Sequence, residues 1–347
     1  LLVHVMDLKT GDKLRSDIFN SAGLHILAKG TVIRNEEIAL LIRHSIDLID
    51  IELKENKEEA TITEEEVFYQ KLKEDFDYTI QAYQGIFLDS LVKGKFNPDK
   101  VQERLETLLE KIDSRKNVVN LLLDLGREDE TIYNHSLQVG LLSYYIATWL
   151  GYSKEESYEI SQAGYLHDIG KSKVPHAIRD HVGELTGKEL EIMRNHTRYG
   201  YDIIRNSMSD GSIALVALQH HELEDGTGYP LGLGKNAVHP YSQIVAVANN
   251  YVELTSQYEG KGSQGFLSVL KKIYDLGFGK LNERPVQALM QNLLPNILSK
   301  KALLNTGQEG IIVLNNPNDI FRPLVKVGSE FIDLAKNRNI LIEEIYL

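Results

Sequence analysis

The apolar positions of this chain change their period several times, and each change marks a boundary. From residue 1 to about 53, short β-branched runs alternate with turn residues, as in "SDIFNSAGLHILAKGTVI". They are followed by "NEEIALLIRHSI", a short helix that Asn35 can cap, and by the apolar "DLIDIEL". This pattern predicts a small α+β module over residues 1–56. The charged stretch "KENKEEATITEEE" reads as a linker running into a helix, and from Val67 to Gly126 the apolar residues recur at helical spacing. Val101, Leu105, Leu108, Ile112 and Val119 fall on one stripe. The stripe either packs a helical connector, residues 57–126, on its neighbours or joins two copies of the chain in a homodimer. From about Arg127 to Ser299 helix follows helix, broken by "GYSKEE", "KVPHAIRDHVGELTG" and the Gly/Pro-rich "DGTGYPLGLGKNAVHP". Beyond Ser299, "EGIIVLNNPNDIFRPLVKV" and "NILIEEIYL" are β-rich and separated by turn residues. The expected fold class is therefore mainly α, with a helical domain at 127–299, the α+β module before it and a small β-rich module at 300–347 after it.

Composition narrows what such a chain can do. Its 347 residues suffice for several domains, each with a core of its own. With no cysteine, disulfides, thiolate metal sites and a cysteine nucleophile are excluded, so any chemistry runs on nitrogen and oxygen groups. A net charge of −12 offers no basic surplus to displace phosphate counterions, which argues against nucleic-acid polymers as partners. A small phosphorylated substrate stays open where metal ions or local lysines reverse the field. No apolar run of about 18 residues appears, and the opening "LLVHVMDLKTGDKL" has no leader pattern, so the expectation is a cytoplasmic protein with no membrane partner.

Candidate chemistry lies in the histidines. Eight of the 11, His135, His167, His176, His181, His196, His220, His221 and His239, fall between residues 135 and 239. Paired rings such as His220 and His221 are poor core material, because every ring nitrogen needs a partner when buried. In "ESYEISQAGYLHDIG", His167 and Asp168 end an apolar helix that Gly170 stops. Neighbours on a helix point about 100° apart, so the pair addresses one centre only from a helix end that opens onto a cavity. His167 then binds one ion while the two oxygens of Asp168 bridge two. A lone His135 or His196 is more often an ordinary hydrogen-bonded residue than a ligand. As a set, however, neutral histidines with a carboxylate and no sulfur suit a divalent first-row metal. His176, His181 and His239 are expected in loops, at the rim or in solvent.

The ordered series "NHSLQV", "HDIGK", "MRNHTRYG", "HHELEDGTGYP" and "IVAVANNYVELTS" resembles the HD-GYP group of HD-domain phosphohydrolases, over roughly residues 127 to 265. The resemblance implies an all-helical, metal-dependent phosphohydrolase that cleaves cyclic di-GMP to pGpG or GMP in bacterial signalling. It implies one metal held by His135, His167 and Asp168, and a second held by Asp168, His196, His220 and His221. Iron or manganese is the expected pair of ions, and zinc also accepts such ligands. Lys171 would meet a phosphate oxygen, the glycines of the loop, Gly228 among them, would let the backbone approach the ligand, and Tyr229 would either contact the ligand or brace the loop. The N- and C-terminal modules resemble segments that accompany this domain in multidomain bacterial signalling proteins, and a protein partner for the N-terminal one stays open.

The chain departs from the family pattern at several positions. Asn249 stands where an aspartate completes the first metal site, and a neutral amide oxygen is the weaker ligand. Val252 and Glu253 replace Asp and Ala, and Glu253 lies on the same helical face as Asn249. Thr131 takes the place of the glutamate found in members with a third metal, so two ions are expected. Tyr258 replaces an arginine that holds ligand phosphates, with Lys261 as the retained cation. These changes leave a second reading open, a degenerate receptor or scaffold that binds cyclic di-GMP without hydrolysing it.

Overall fold

A computed structural model of the chain describes residues 2–5, 8, 12–20, 24–44, 46, 48–51, 64–113, 131–181, 183–257, 265–316 and 319–346. They form two compact units, Leu1–Tyr69 and Gln70–Leu347. In the first, β1 (Leu2–His4) pairs antiparallel with β4 (Leu48–Asp50), and β2 (Ile18–Phe19) pairs with β3 (His25–Leu27). Together with α1 (Asn35–Arg43) they close over a core that includes Val5, Leu14, Ile33, Leu41 and Ile49. The β-branched alternation thus forms paired strands because each strand has one apolar face to bury.

The second unit is helical at its centre. Helix α2 (Glu64–Lys93), from Gln70 on, and α3 (Asp99–Asp113) lean on α4 (Ile132–Trp149) and α5 (Lys154–Leu166). Tyr83 of α2 packs edge-on to Tyr165 with ring centroids 4.8 Å apart, and the Tyr165 hydroxyl donates to the Thr79 carbonyl at 2.7 Å. Val101, Leu105, Leu108 and Ile112 of the connector stripe are fully buried, while Val119 lies outside the described residues. The described part of the stripe is filled by packing within the chain, so a homodimer through the connector would have to use other positions.

Four further helices follow a 3₁₀ turn at Ile169–Lys173: α6 (His176–Arg179), α7 (Gly187–Arg194), α8 (His196–Ser207) and α9 (Gly211–Gln219). Helix α10 (Pro240–Gln257) runs through the middle of the unit against α4, α5 and α9. Two more, α11 (Gly265–Leu276) and α12 (Glu283–Leu293), lead to a five-stranded antiparallel sheet. Its strands are β5 (Lys301–Leu304), β6 (Glu309–Leu314), β7 (Leu324–Val327), β8 (Glu330–Asp333) and β9 (Ile342–Tyr346), in the order β8-β7-β6-β5-β9. Ala302 faces Gly310 on one side and Ile345 on the other. The inner face of the sheet, with Ala302, Leu304, Ile312 and Val325, packs on Phe266 and Leu267 of α11. Among the described residues no helix is long and apolar enough to cross a membrane.

Candidate metal centre

Helix ends position the site. Thr131 caps α4 through its hydroxyl, which accepts from the Asn134 amide at 3.2 Å, and this fixes His135 one turn into the helix. Ser153 and Glu156 form a reciprocal capping box at the start of α5, and the helix ends at His167. Asp168 then leaves helical geometry, with φ −100° and ψ 9°, so its carboxylate turns toward the same centre as the His167 ring. The helix end expected from "HDIGK" is therefore where the structure places it. His196 opens α8, His220 and His221 follow the end of α9, and Asn249 reaches in from α10. Gly170 allows this convergence: a Cβ there would collide with the His196 carbonyl and the Gly200 backbone, so only glycine lets the 3₁₀ turn lie against α8.

Asp168, buried with 1 % of its surface exposed, is the hub. Its Oδ1 lies 3.3 Å from His196 Nε2 and 3.8 Å from His220 Nε2, and its Oδ2 lies 3.3 Å from His167 Nε2 and 3.8 Å from His135 Nε2. Two donor groups result, Asp168 with His196, His220 and His221, and Asp168 with His135 and His167. Asn249 joins the second group, its Oδ1 2.9 Å from His135 Nε2. Three rings are tied from behind: Nδ1 of His167 donates to the Gly164 carbonyl at 2.6 Å, that of His196 to Met193 at 2.7 Å, and that of His220 to Ala217 at 3.0 Å. A carbonyl can only accept, so Nδ1 carries the proton in each of these rings and Nε2 is the nitrogen left bare in the neutral form, the tautomer a metal ligand needs.

The arrangement fits divalent ions on its own atoms. His196 Nε2 and His220 Nε2 face each other at 3.3 Å, two lone pairs that repel unless a cation lies between them. His167 Nε2 and Asp168 Oδ1 are buried without a hydrogen-bond partner, at a cost that coordination removes. Protons are poor substitutes, because burial lowers His196 to about 4 and His135 to about 3. Burial and adjacent rings push His220 and His221 well below the usual histidine range. Burial opposes the charge of Asp168, yet its carboxyl is held well below the usual carboxylate range, with the Lys171 ammonium 2.6 Å from Oδ2. Lys171 donates to Asp168 Oδ2 at 2.6 Å and is kept charged by it despite burial.

The "GYP" loop closes against the histidine pair. Tyr229 stacks on the His221 ring with centroids 4.6 Å apart and planes 19° apart, and the Arg194 guanidinium lies 4.9 Å from the tyrosine ring centre. The open side of Gly228 faces the backbone of His221, Glu222 and Leu223 rather than the cleft, and the Tyr229–Pro230 bond is cis. Glu222, 3 % exposed, accepts from the amides of Leu231 at 2.7 Å and Leu233 at 2.8 Å and so clamps the loop. Sequence reasoning gave neither Glu222 nor Arg194 a part; the only available signal was the position of the glutamate directly after the histidine pair.

In front of the donors lies a cleft of about 590 Å³, lined among others by His135, Lys171, Arg179, His181, Met193 and Glu253. His181, expected at the rim, is on its wall, and Arg179 is a cation that spacing alone did not single out. Tyr258 and Lys261, the positions expected to face ligand phosphates, lie outside the described residues.

Residues 118–269 match the family model described as HD domain. This segment is an HD domain, and it carries the HD-GYP motifs in order. A cyclic di-GMP phosphodiesterase of Thermotoga maritima is 36 % identical over 204 residues, 57 % of this chain and 54 % of that protein. A 3'3'-cGAMP-specific phosphodiesterase of Vibrio cholerae is 27 % identical over 161 residues, 46 % of this chain and 37 % of that protein. Bd1817, an HDG"Y"P protein from Bdellovibrio bacteriovorus, shares the fold with a TM-score of 0.51 at 17 % identity, over 83 % of this chain and 97 % of that one. The chain spans about half the length of the curated relatives it matches.

Proposed function

We propose that the domain is a phosphodiesterase that hydrolyses cyclic di-GMP, with two divalent ions, iron or manganese, held around Asp168. The observation that carries this reading is the three bare Nε2 atoms of His167, His196 and His220, each anchored from behind through Nδ1 and aimed at one shared carboxylate. Ions held there supply Lewis acidity and lower the pKa of water, which is what attack on a phosphodiester requires. His135, His167, Asp168 and Asn249 would hold one ion, and Asp168, His196, His220 and His221 the other. Lys171, charged and on the cleft wall, would take a non-bridging phosphate oxygen and exchange its partner Asp168 for substrate. Tyr229 would keep His221 oriented by stacking. Lys171 and Arg179 on the cleft wall are each paired with a carboxylate, Asp168 and Asp180, so in a chain of net charge −12 the field that draws an anionic substrate would come from the bound ions.

The relative specific for 3'3'-cGAMP makes the mixed cyclic dinucleotide the substrate to test in parallel. Asn249, a neutral ligand where the family pattern has a carboxylate, favours a second reading, a receptor that binds without cleaving. The deciding experiment loads oxygen-free protein separately with iron and manganese, counts metal on the same sample and measures turnover of both dinucleotides. Linear product from cyclic di-GMP at two metals per chain is the expected result. Cleavage of 3'3'-cGAMP alone would move the substrate, and metal with intact bound dinucleotide would establish the receptor.

A further inference from the structure

The amide of Asn249 must present its oxygen, and not its nitrogen, for this residue to act as a ligand. Both ends of the group have nearly the same shape, so only hydrogen-bond partners decide which one faces the site. In the structure Oδ1 accepts from His135 Nε2 at 2.9 Å, and Nδ2 donates to Glu253 Oε1 at 3.1 Å. The first of these bonds holds only while His135 Nε2 carries a proton. Once that nitrogen gives its lone pair to an ion it no longer donates, and the bond to Glu253 is what remains to fix the amide.

We propose that Glu253 is a positioning residue of the metal centre, one that locks the Asn249 side chain with its oxygen toward His135 and so makes an asparagine serviceable as a ligand. The inference rests on the two-metal reading above. Glu253 sits one turn beyond Asn249 on α10, where residues four apart share a face, and lines the cleft beside Lys171. Asn249 is 1 % exposed, so no solvent competes for Nδ2, and a flipped amide would turn its NH₂ toward the cation. The only carboxylate in the two donor groups, Asp168, is shared between both ions and paired with Lys171, so a misdirected Asn249 leaves the first site with two histidines and part of one charge.

The test is manganese titration of the metal-free full chain by calorimetry, with His135→Ala used to identify which binding event belongs to the first site. Glu253→Ala is expected to weaken that event by roughly tenfold or more, as loss of an outer partner of a ligand does, and to leave the second event in place. Glu253→Gln, which keeps an oxygen acceptor for Nδ2, recovers most of the loss. In an Asn249→Asp background both ends of residue 249 are oxygens, so Glu253→Ala no longer weakens the first event. Unchanged affinity in Glu253→Ala, no recovery with Gln, or an equal loss in the Asn249→Asp background each overturns the proposal while the metal centre stands. A wild-type chain that binds no manganese overturns the two-metal reading itself, and this inference with it.

Discussion

At the scale of single residues, the proposed centre separates groups that would hold metal from groups that would handle substrate. His167 has a bare, buried Nε2 with no hydrogen-bond partner, whereas Lys171 is a charged amine on the cleft wall that touches the cluster only through Asp168. His167→Ala should remove the ion of the first site, with bound metal falling from two toward one per chain by elemental analysis. Lys171→Ala should keep both ions and cut turnover by roughly a hundredfold, the order found for loss of one preorganised donor to a developing charge. A Lys171→Ala variant that lost metal would place the amine among the structural supports of Asp168 instead. Most of these residues were legible as chemistry in the sequence because a histidine or aspartate can do few things when buried. Glu222 and Glu253 were harder, since a glutamate, in the loop after α9 or one turn beyond Asn249 on α10, is usually a solvated side chain, and only the partners it meets give it a task.

At the scale of elements, the centre exists because the helix ends that carry His167, Asp168, His196, His220 and His221 meet against the faces of α4 and α10, which supply His135 and Asn249. The turn Ile169–Lys173 lies against the start of α8 with no room for a side chain at Gly170. Gly170→Ala should force the turn and α8 apart, at a cost of about 2–3 kcal/mol or more by overpacking. Because His167 and His196 sit on the two sides of that contact, the variant should lose metal affinity along with stability, seen in a denaturation midpoint and a manganese titration. Retained affinity in a destabilised variant would show that the donor geometry does not depend on this contact. The helical period predicted the elements themselves, down to the apolar stripe of α3. It could not say what the stripe packs on, and Val101, Leu105, Leu108 and Ile112 are filled from within the chain.

At the scale of the whole molecule, the cluster ties stability to pH. In the metal-free chain burial keeps His135 and His196 neutral, at about 3 and about 4, against 6.5 for an unconstrained histidine. The unfolded chain therefore binds more protons as pH falls below 6.5, and stability must fall with it, progressively down to about 4 and then 3. Lowered acid stability of the apo protein, read as a melting temperature that drops between about pH 7 and pH 5 where unconstrained histidines titrate, is the expected outcome. A flat profile would mean that these rings are protonated in the fold. Bound manganese should raise the melting temperature above pH 6.5, since an ion that binds only the folded state adds to its stability, and the gain should shrink as protons compete for the same nitrogens.

The sequence by itself determined the local choices: where apolar period shifts from two to 3.6 and back, where helices stop, and that the histidines gather in the helical third without sulfur. Those are consequences of residue type and spacing, which act over a few positions. Only the tertiary structure decided that Nε2 is the bare nitrogen of His167, His196 and His220, because that depends on the carbonyls of Gly164, Met193 and Ala217 lying behind Nδ1. It also decided that Tyr229 stacks on His221 and that the Asn249 amide is oriented by Glu253. Direction and burial are set by packing between distant segments, and spacing along the chain carries no record of them.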